Sequence, residues 1–105
     1  MDRVTRIDLI SAFVAGAAPS IGWRVRCVRR SRSTVSRYLE LEAPDGSYVI
    51  VRVSDHRAAR SSWDRRAGVA LFSVVLGNVS KLAELPAFLA AWATRRRSSV
   101  VCTQT

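Results

Sequence analysis

Two alternating segments joined by a turn tripeptide constrain the fold of this chain more than any other feature. Residues 36–43 (SRYLELEA) and 47–54 (SYVIVRVS) each alternate polar with apolar side chains, the period of a strand with one buried face. Between them stand Pro44, Asp45 and Gly46. Proline presets φ, aspartate bonds its own backbone, and glycine takes the positive φ of a bulged three-residue hairpin loop. With Ala43 opposite Ser47, Glu42 faces Tyr48, Glu40 faces Ile50 and Tyr38 faces Arg52. Leu41/Val49, Leu39/Val51 and Arg37/Val53 then lie on the other side, which gives the sheet one apolar face.

The same register gathers chemistry at the open end of the hairpin. Ser36, Arg37 and Tyr38 arrive beside Arg52, Ser54, Asp55 and His56, although they are distant in sequence. The segment 29–36 (RRSRSTVS) hangs from that end and carries Arg29, Arg30 and Arg32 among hydroxyl residues. Arginine forks and serine hydroxyls are the groups a protein uses on phosphates.

Helices are predicted on either side of the strands. Thr5 followed by Asp8 has the form of a capping box, and Ile7, Ile10, Phe13, Val14 and Ala17 line one side before Gly16 and Pro19 end the helix. Residues 21–30 (IGWRVRCVRR) read as a strand with Trp23, Val25 and Cys27 on its apolar side. Arg24 and Arg26 point outward, toward Glu40 and Glu42. Residues 68–77 (GVALFSVVLG) are apolar on both faces, as in a central or doubly covered strand. Asn78 and Ser80 offer caps to a second helix with a break or a kink near residues 82–85, because Pro86 sits inside it. Three arginines, 95–97, close that helix favourably for its dipole. The expected architecture is α+β: an N-terminal helix, a three- to four-stranded antiparallel sheet and a C-terminal helix, with both helices on one face. Residues 1–97 form the single domain and 98–105 a flexible tail.

Charge narrows the choice of partner. The 105 residues hold 17 basic against 8 acidic side chains, a formal charge of +9 with a pI near 11.4, and Lys81 is the one base that is not arginine. Such a chain favours nucleic acid, a ribonucleoprotein or an acidic protein surface. Two cysteines do not make a disulfide scaffold, no secretory segment follows Met1, and the apolar run 69–76 is too short to span a membrane. A cytoplasmic protein without a membrane partner is expected. No metal-ligand spacing, P-loop or dinucleotide fingerprint is present, so neither metal nor cofactor is expected.

The candidate residues form two sets. His56, the single histidine, stands next to Asp55, near Arg52 and Tyr38. An imidazole oriented by a carboxylate, an arginine for developing charge and a second acid or base are what a metal-independent ribonuclease needs. The binding set is broader: Arg29, Arg30, Arg32, Ser36, Arg37, Tyr38, Arg52, His56, Arg57, Arg60, Trp63, Arg65 and Arg66. Trp63 stands among arginines, the setting of a base-stacking or anchoring aromatic. Glu40 and Glu42 resemble a paired-acid site in spacing, but arginines on both sides keep both ionised.

The blocks S-R-S-T-V-S-R-Y (31–38) and V-R-V-S-D-H (51–56), with a turn between them, resemble a pattern in small proteins of phages and other mobile elements. Some of those are similar to the fold grouping of barnase, EndoU, colicin and RelE-type ribonucleases, in which a helix precedes an antiparallel sheet bearing the site. The resemblance implies that Ser36, Tyr38, Arg52, Asp55 and His56 carry the function. This chain departs from the pattern in having no second histidine and no glutamate beside His56. In general character, though in no motif, it is also similar to anti-CRISPR and other counter-defence inhibitors. The leading expectation is a non-enzymatic protein that binds and blocks a host nucleic-acid-processing or defence complex. A metal-independent ribonuclease and a plain nucleic-acid-binding module are the alternatives.

Overall fold

The structure, a computed structural model, describes residues 2–57 and 70–104, with 95–104 described by backbone alone. Helix α1 (Arg3–Ala17) is followed by a 3-10 turn (Ala18–Ile21) and strands β1 (Arg24–Arg30), β2 (Arg37–Glu42) and β3 (Tyr48–Ser54). Strand β4 (Ala70–Val75), a 3-10 segment (Leu76–Glu84) and helix α2 (Leu85–Gln104) complete the chain. The sheet order is β1-β2-β3-β4. The fold is α+β, as expected.

The hairpin register is the expected one, from Arg37 opposite Val53 to Glu42 opposite Tyr48. Its turn also forms as the residues dictate. Asp45 Oδ1 accepts from the Ser47 backbone N–H at 2.9 Å and from its hydroxyl at 2.6 Å, while Gly46 takes φ 89°. Leu39, Leu41, Val49, Val51 and Val53 are all fully buried, each contributing about 1.5–3 kcal/mol by the burial of its side chain. Ile7 and Val14 of α1, Ala18, Trp23, Phe72, Val74, and Leu85 and Leu89 of α2 pack on the same face. Both helices therefore lie on one side of the sheet.

Several sequence expectations are corrected. The sheet is mixed: β3 and β4 run parallel, Val49 beside Ala70 through Ser54 beside Val75. Strand β4 is at the edge of the sheet rather than central, and its apolar character on both faces did not distinguish the two. The 3-10 segment after it supplies partial cover, with Lys81 Nζ donating to the Ser73 carbonyl at 2.8 Å. Second, a bulge in β1 advances the register from Val25 opposite Leu41 to Cys27 opposite Glu40. The extra residue, Arg26, reverses the parity of the rest of the strand, so Cys27 joins the arginine face instead of the apolar one.

Third, the cap of α1 is Asp2, whose Oδ1 accepts from the Thr5 N–H at 2.7 Å. Asp8 is spent elsewhere, pairing with Arg37, and Phe13 is 63% exposed rather than buried. Pro86 marks the break expected near residues 82–85, the 3-10 segment ending at Glu84 and α2 beginning at Leu85. It occupies the first turn of α2, where its missing N–H costs nothing, and the residues before it form the 3-10 segment with Asn78 outside helical geometry. Helical backbone of α2 continues past the boundary drawn at residue 97, to Gln104. By length and composition Arg3–Ile21 would suffice to cross a membrane, a stretch that the apolar run 69–76 overshadows in sequence; Ile7, Val14 and Ala18 of it are packed in the core.

Candidate functional site

The two sequence blocks that carry the resemblance are joined through hydroxyl groups. Thr34 Oγ1 donates to Ser36 Oγ at 2.9 Å, and Ser36 Oγ lies 2.7 Å from Ser54 Oγ, both serines fully buried. Ser54 Oγ is 3.1 Å from His56 Nδ1. Ser31 closes the loop before β2, its N–H donating to the Ser36 carbonyl at 3.0 Å and its Oγ accepting from the Thr34 N–H at 3.2 Å. A serine-rich segment that reads as a solvated phosphate loop is thus partly a hydrogen-bonded plug at the end of the hairpin.

Asp55, His56 and Arg52 do come together. Asp55 Oδ1 lies 2.7 Å from His56 Nδ1, and Arg52 Nη2 lies 3.1 Å from His56 Nε2. A guanidinium only donates, so Nε2 accepts and the ring proton resides on Nδ1, where Asp55 receives it. That hydrogen bond from His56, followed by the charge of Arg3 at 3.0 Å, holds the Asp55 carboxyl below the usual carboxylate range. Both ring nitrogens are therefore engaged inside the cluster. The lone pair a general base would use points at Arg52.

Arg52 is itself committed. It is 4% exposed, and its Nη1 donates to the His56 carbonyl at 3.0 Å and to Ser73 Oγ at 3.3 Å. Tyr38 stands opposite Arg52 in the β2–β3 ladder and is half-buried. Arg37 is buried on the helix side of the sheet, where it pairs with Asp8 at 3.2 Å and donates to the Val35 carbonyl at 3.0 Å.

The outward face is a lattice of arginines and glutamates. Arg24 Nε donates to Glu42 Oε1 at 2.6 Å. Glu40, only 4% exposed, has Arg29 Nη2 2.9 Å from Oε2 and Arg26 Nε 3.9 Å from Oε1. The Arg29 contact is ionic without hydrogen-bond alignment. Arg29 belongs to β1 rather than to the loop, and the Cys27 thiol and then Glu40 raise its affinity for its proton. Arg26 stacks on Tyr48 at 4.8 Å. Ile50 is buried at the centre of this face, so the face is not wholly polar.

The remaining predicted binding residues divide. Arg30, Arg32 and Arg57 are exposed and form no ion pair among the described residues. Arg60, Trp63, Arg65 and Arg66 lie outside the described residues. Sequence reasoning missed Ser73, Asn78 and Lys81, which line a pocket with Arg57 and Val75. Asn78 read as a helix cap and Ser73 as part of an apolar strand; that Lys81 is the single lysine was the one available signal. No group of three or more metal-ligating side chains occurs among the described residues. Comparisons with protein-family models, with curated proteins and with solved structures find no match for this chain.

Proposed function

We propose that this chain acts by binding rather than by catalysis. It docks its basic surface on nucleic acid held in a host ribonucleoprotein or nucleic-acid-processing complex in the cytoplasm, and blocks that complex by occupancy. The observation that carries this reading is the division of labour among the cations. Arg52 and His56, the groups a nuclease would use, spend their polar atoms on each other and on neighbours. Arg30, Arg32 and Arg57 remain exposed without a carboxylate partner among the described residues. Unpaired surface arginines attract phosphates at long range and release counterions when they bind. The resemblance to phage and mobile-element proteins supports a host complex as the target.

The test is binding to a labelled single-stranded oligonucleotide across a salt series, followed by capture of the tagged protein's partners from lysate with and without nuclease. A steep fall of affinity with salt, and a stoichiometric complex kept after nuclease, are expected. Affinity independent of salt removes the reading.

One observation favours a second reading, a metal-independent ribonuclease: the 2.7 Å contact that orients His56 on Asp55. For that chemistry Arg52 must release Nε2 when substrate enters. RNA cleavage by the wild type that disappears in His56→Ala, with the fold retained by circular dichroism, would establish it.

A further inference from the structure

Beyond the C-terminal ends of the parallel strands β3 and β4 lies a pocket of about 250 Å³, lined by Arg57, Ser73, Val75, Asn78 and Lys81. None of these residues is acidic. We infer that this pocket is a binding site for a phosphate group, with Arg57 and Lys81 as its charged ligands and Ser73 and Asn78 as its neutral ones. The inference deepens the binding reading above and rests on it for the source of the phosphate.

Every polar group in the pocket is left with donors to offer. Arg52 donates to Ser73 Oγ at 3.3 Å, so that hydroxyl keeps its own proton to donate. Ser80 Oγ donates to Asn78 Oδ1 at 2.9 Å, which occupies the acceptor end of the amide and leaves Nδ2 as the free end. Lys81 Nζ gives one N–H to the Ser73 carbonyl and retains two. Arg57 adds an exposed guanidinium fork with no ion pair among the described residues. A concave site made of donors and two cations fits an oxyanion with several acceptor oxygens and rejects a cation.

Arg52 supplies the second, independent observation. It is a nearly fully buried guanidinium whose hydrogen-bond partners are a carbonyl, a serine hydroxyl and the His56 ring. No carboxylate is among these partners within the described residues. A buried charge with no directly paired carboxylate among the described residues is costly, and the polar pocket across Ser73 is where an anion would offset it. Lys81, partly buried, has the Ser73 carbonyl and the Phe72 ring at 4.9 Å as its partners among the described residues. Arg6, on the first turn of α1, adds a further cation at this end of the sheet, 3.5 Å from the Leu76 carbonyl.

The experiment is a titration of the ¹⁵N-labelled full chain with inorganic phosphate, followed by amide shifts. Shifts confined to Ser73, Asn78, Lys81 and their neighbours are expected. The double variant Arg57→Gln/Lys81→Gln should bind phosphate more weakly by about tenfold or more, as loss of charged donors implies. Asn78→Asp keeps the side chain's size and places a negative charge in the pocket, so it should also weaken phosphate binding. It guards against a folding defect in the double variant. Arg24→Gln, on the far strand, should change nothing.

A second titration uses single-stranded oligonucleotides with and without a 5′-phosphate. Pocket shifts with the phosphorylated strand alone assign a chain-end phosphate, and shifts with both assign the backbone. Phosphate shifts scattered over the surface, or undiminished in both variants, overturn the site. If the oligonucleotide then still binds with steep salt dependence, the site has failed and the binding reading stands. If phosphate fills the pocket but no oligonucleotide binds, the site stands and its ligand is a small phosphate ester.

Discussion

The hydroxyls of Ser36 and Ser54 meet at 2.7 Å in the interior, with neither residue exposed to solvent. This contact ties the loop before β2 to the last residue of β3, and through Ser54 to His56. The serines at the open end of the hairpin are thus structural before they are anything else.

Removing either hydroxyl leaves the other buried with one fewer partner. Ser36→Ala and Ser54→Ala should each destabilise the protein by about 1–3 kcal/mol in urea denaturation. The double substitution should cost less than the sum, because no orphaned hydroxyl remains from the pair. Strict additivity would show that the two hydroxyls are not coupled.

Glu40 and Glu42 share a strand face but differ in burial, with side chains 5% and 18% exposed. Glu42→Ala breaks a pair whose arginine is largely in solvent, so its cost should stay below about 1 kcal/mol. Glu40→Ala removes the carboxylate between Arg26 and Arg29 from an enclosed position and should cost clearly more. Denaturation midpoints of the two variants compare them directly.

Gly46 holds φ 89° in the hairpin turn, and a Cβ built there meets nothing within 4 Å. The penalty of Gly46→Ala is therefore conformational rather than steric, about 1–2 kcal/mol. Gly46→Asn should cost less, since asparagine tolerates the left-handed region better. Equal losses for the two would argue that contact, not φ, governs the position.

Acid should act on Asp55. The hydrogen bond from His56 and the charge of Arg3 lower its proton affinity in the folded state, so the unfolded chain takes up the proton first as pH falls. Its contribution is present above the ordinary carboxylate value of about 3.9 and is lost as pH drops through the lowered folded value. Asp55→Asn should therefore lose stability at neutral pH and show a shallower decline on the acid side of about pH 4. A variant whose acid profile overlays the wild type would detach Asp55 from acid sensitivity.

The hairpin was legible to the residue because everything that specifies it is local. Alternation fixes which side chains share a face, and Pro44, Asp45 and Gly46 fix the loop, so one register satisfies both. The α+β class and the placement of helices over the Leu39–Val51 face come from the same patterning. Single residues undid the neighbouring expectations. Arg26, inserted as a bulge, moved Cys27 to the opposite face, and no local signal marks it among four arginines in seven residues. Asp2 outcompeted Thr5 as the cap because its carboxylate reaches the Thr5 N–H, while Asp8 found Arg37 across the fold.

The candidate site shows the same boundary between local and global. Asp55 and His56 are adjacent in sequence, and the β2–β3 register brought Ser36 to Ser54 and Tyr38 to Arg52 beside them. Arg52 donates both to His56 and to Ser73, and Ser73 is contributed by a strand whose direction local pattern left open. Residue order alone specifies the periodic part of the fold: one hairpin, its register, its apolar face and a strongly basic surface. Long-range packing settled that β4 runs parallel to β3, which arginines are spent on glutamates, and that Arg57, Ser73, Asn78 and Lys81 share a pocket. Periodicity is a property of neighbours along the chain, whereas strand direction and ion-pair choice are set by competition among contacts between segments distant in sequence.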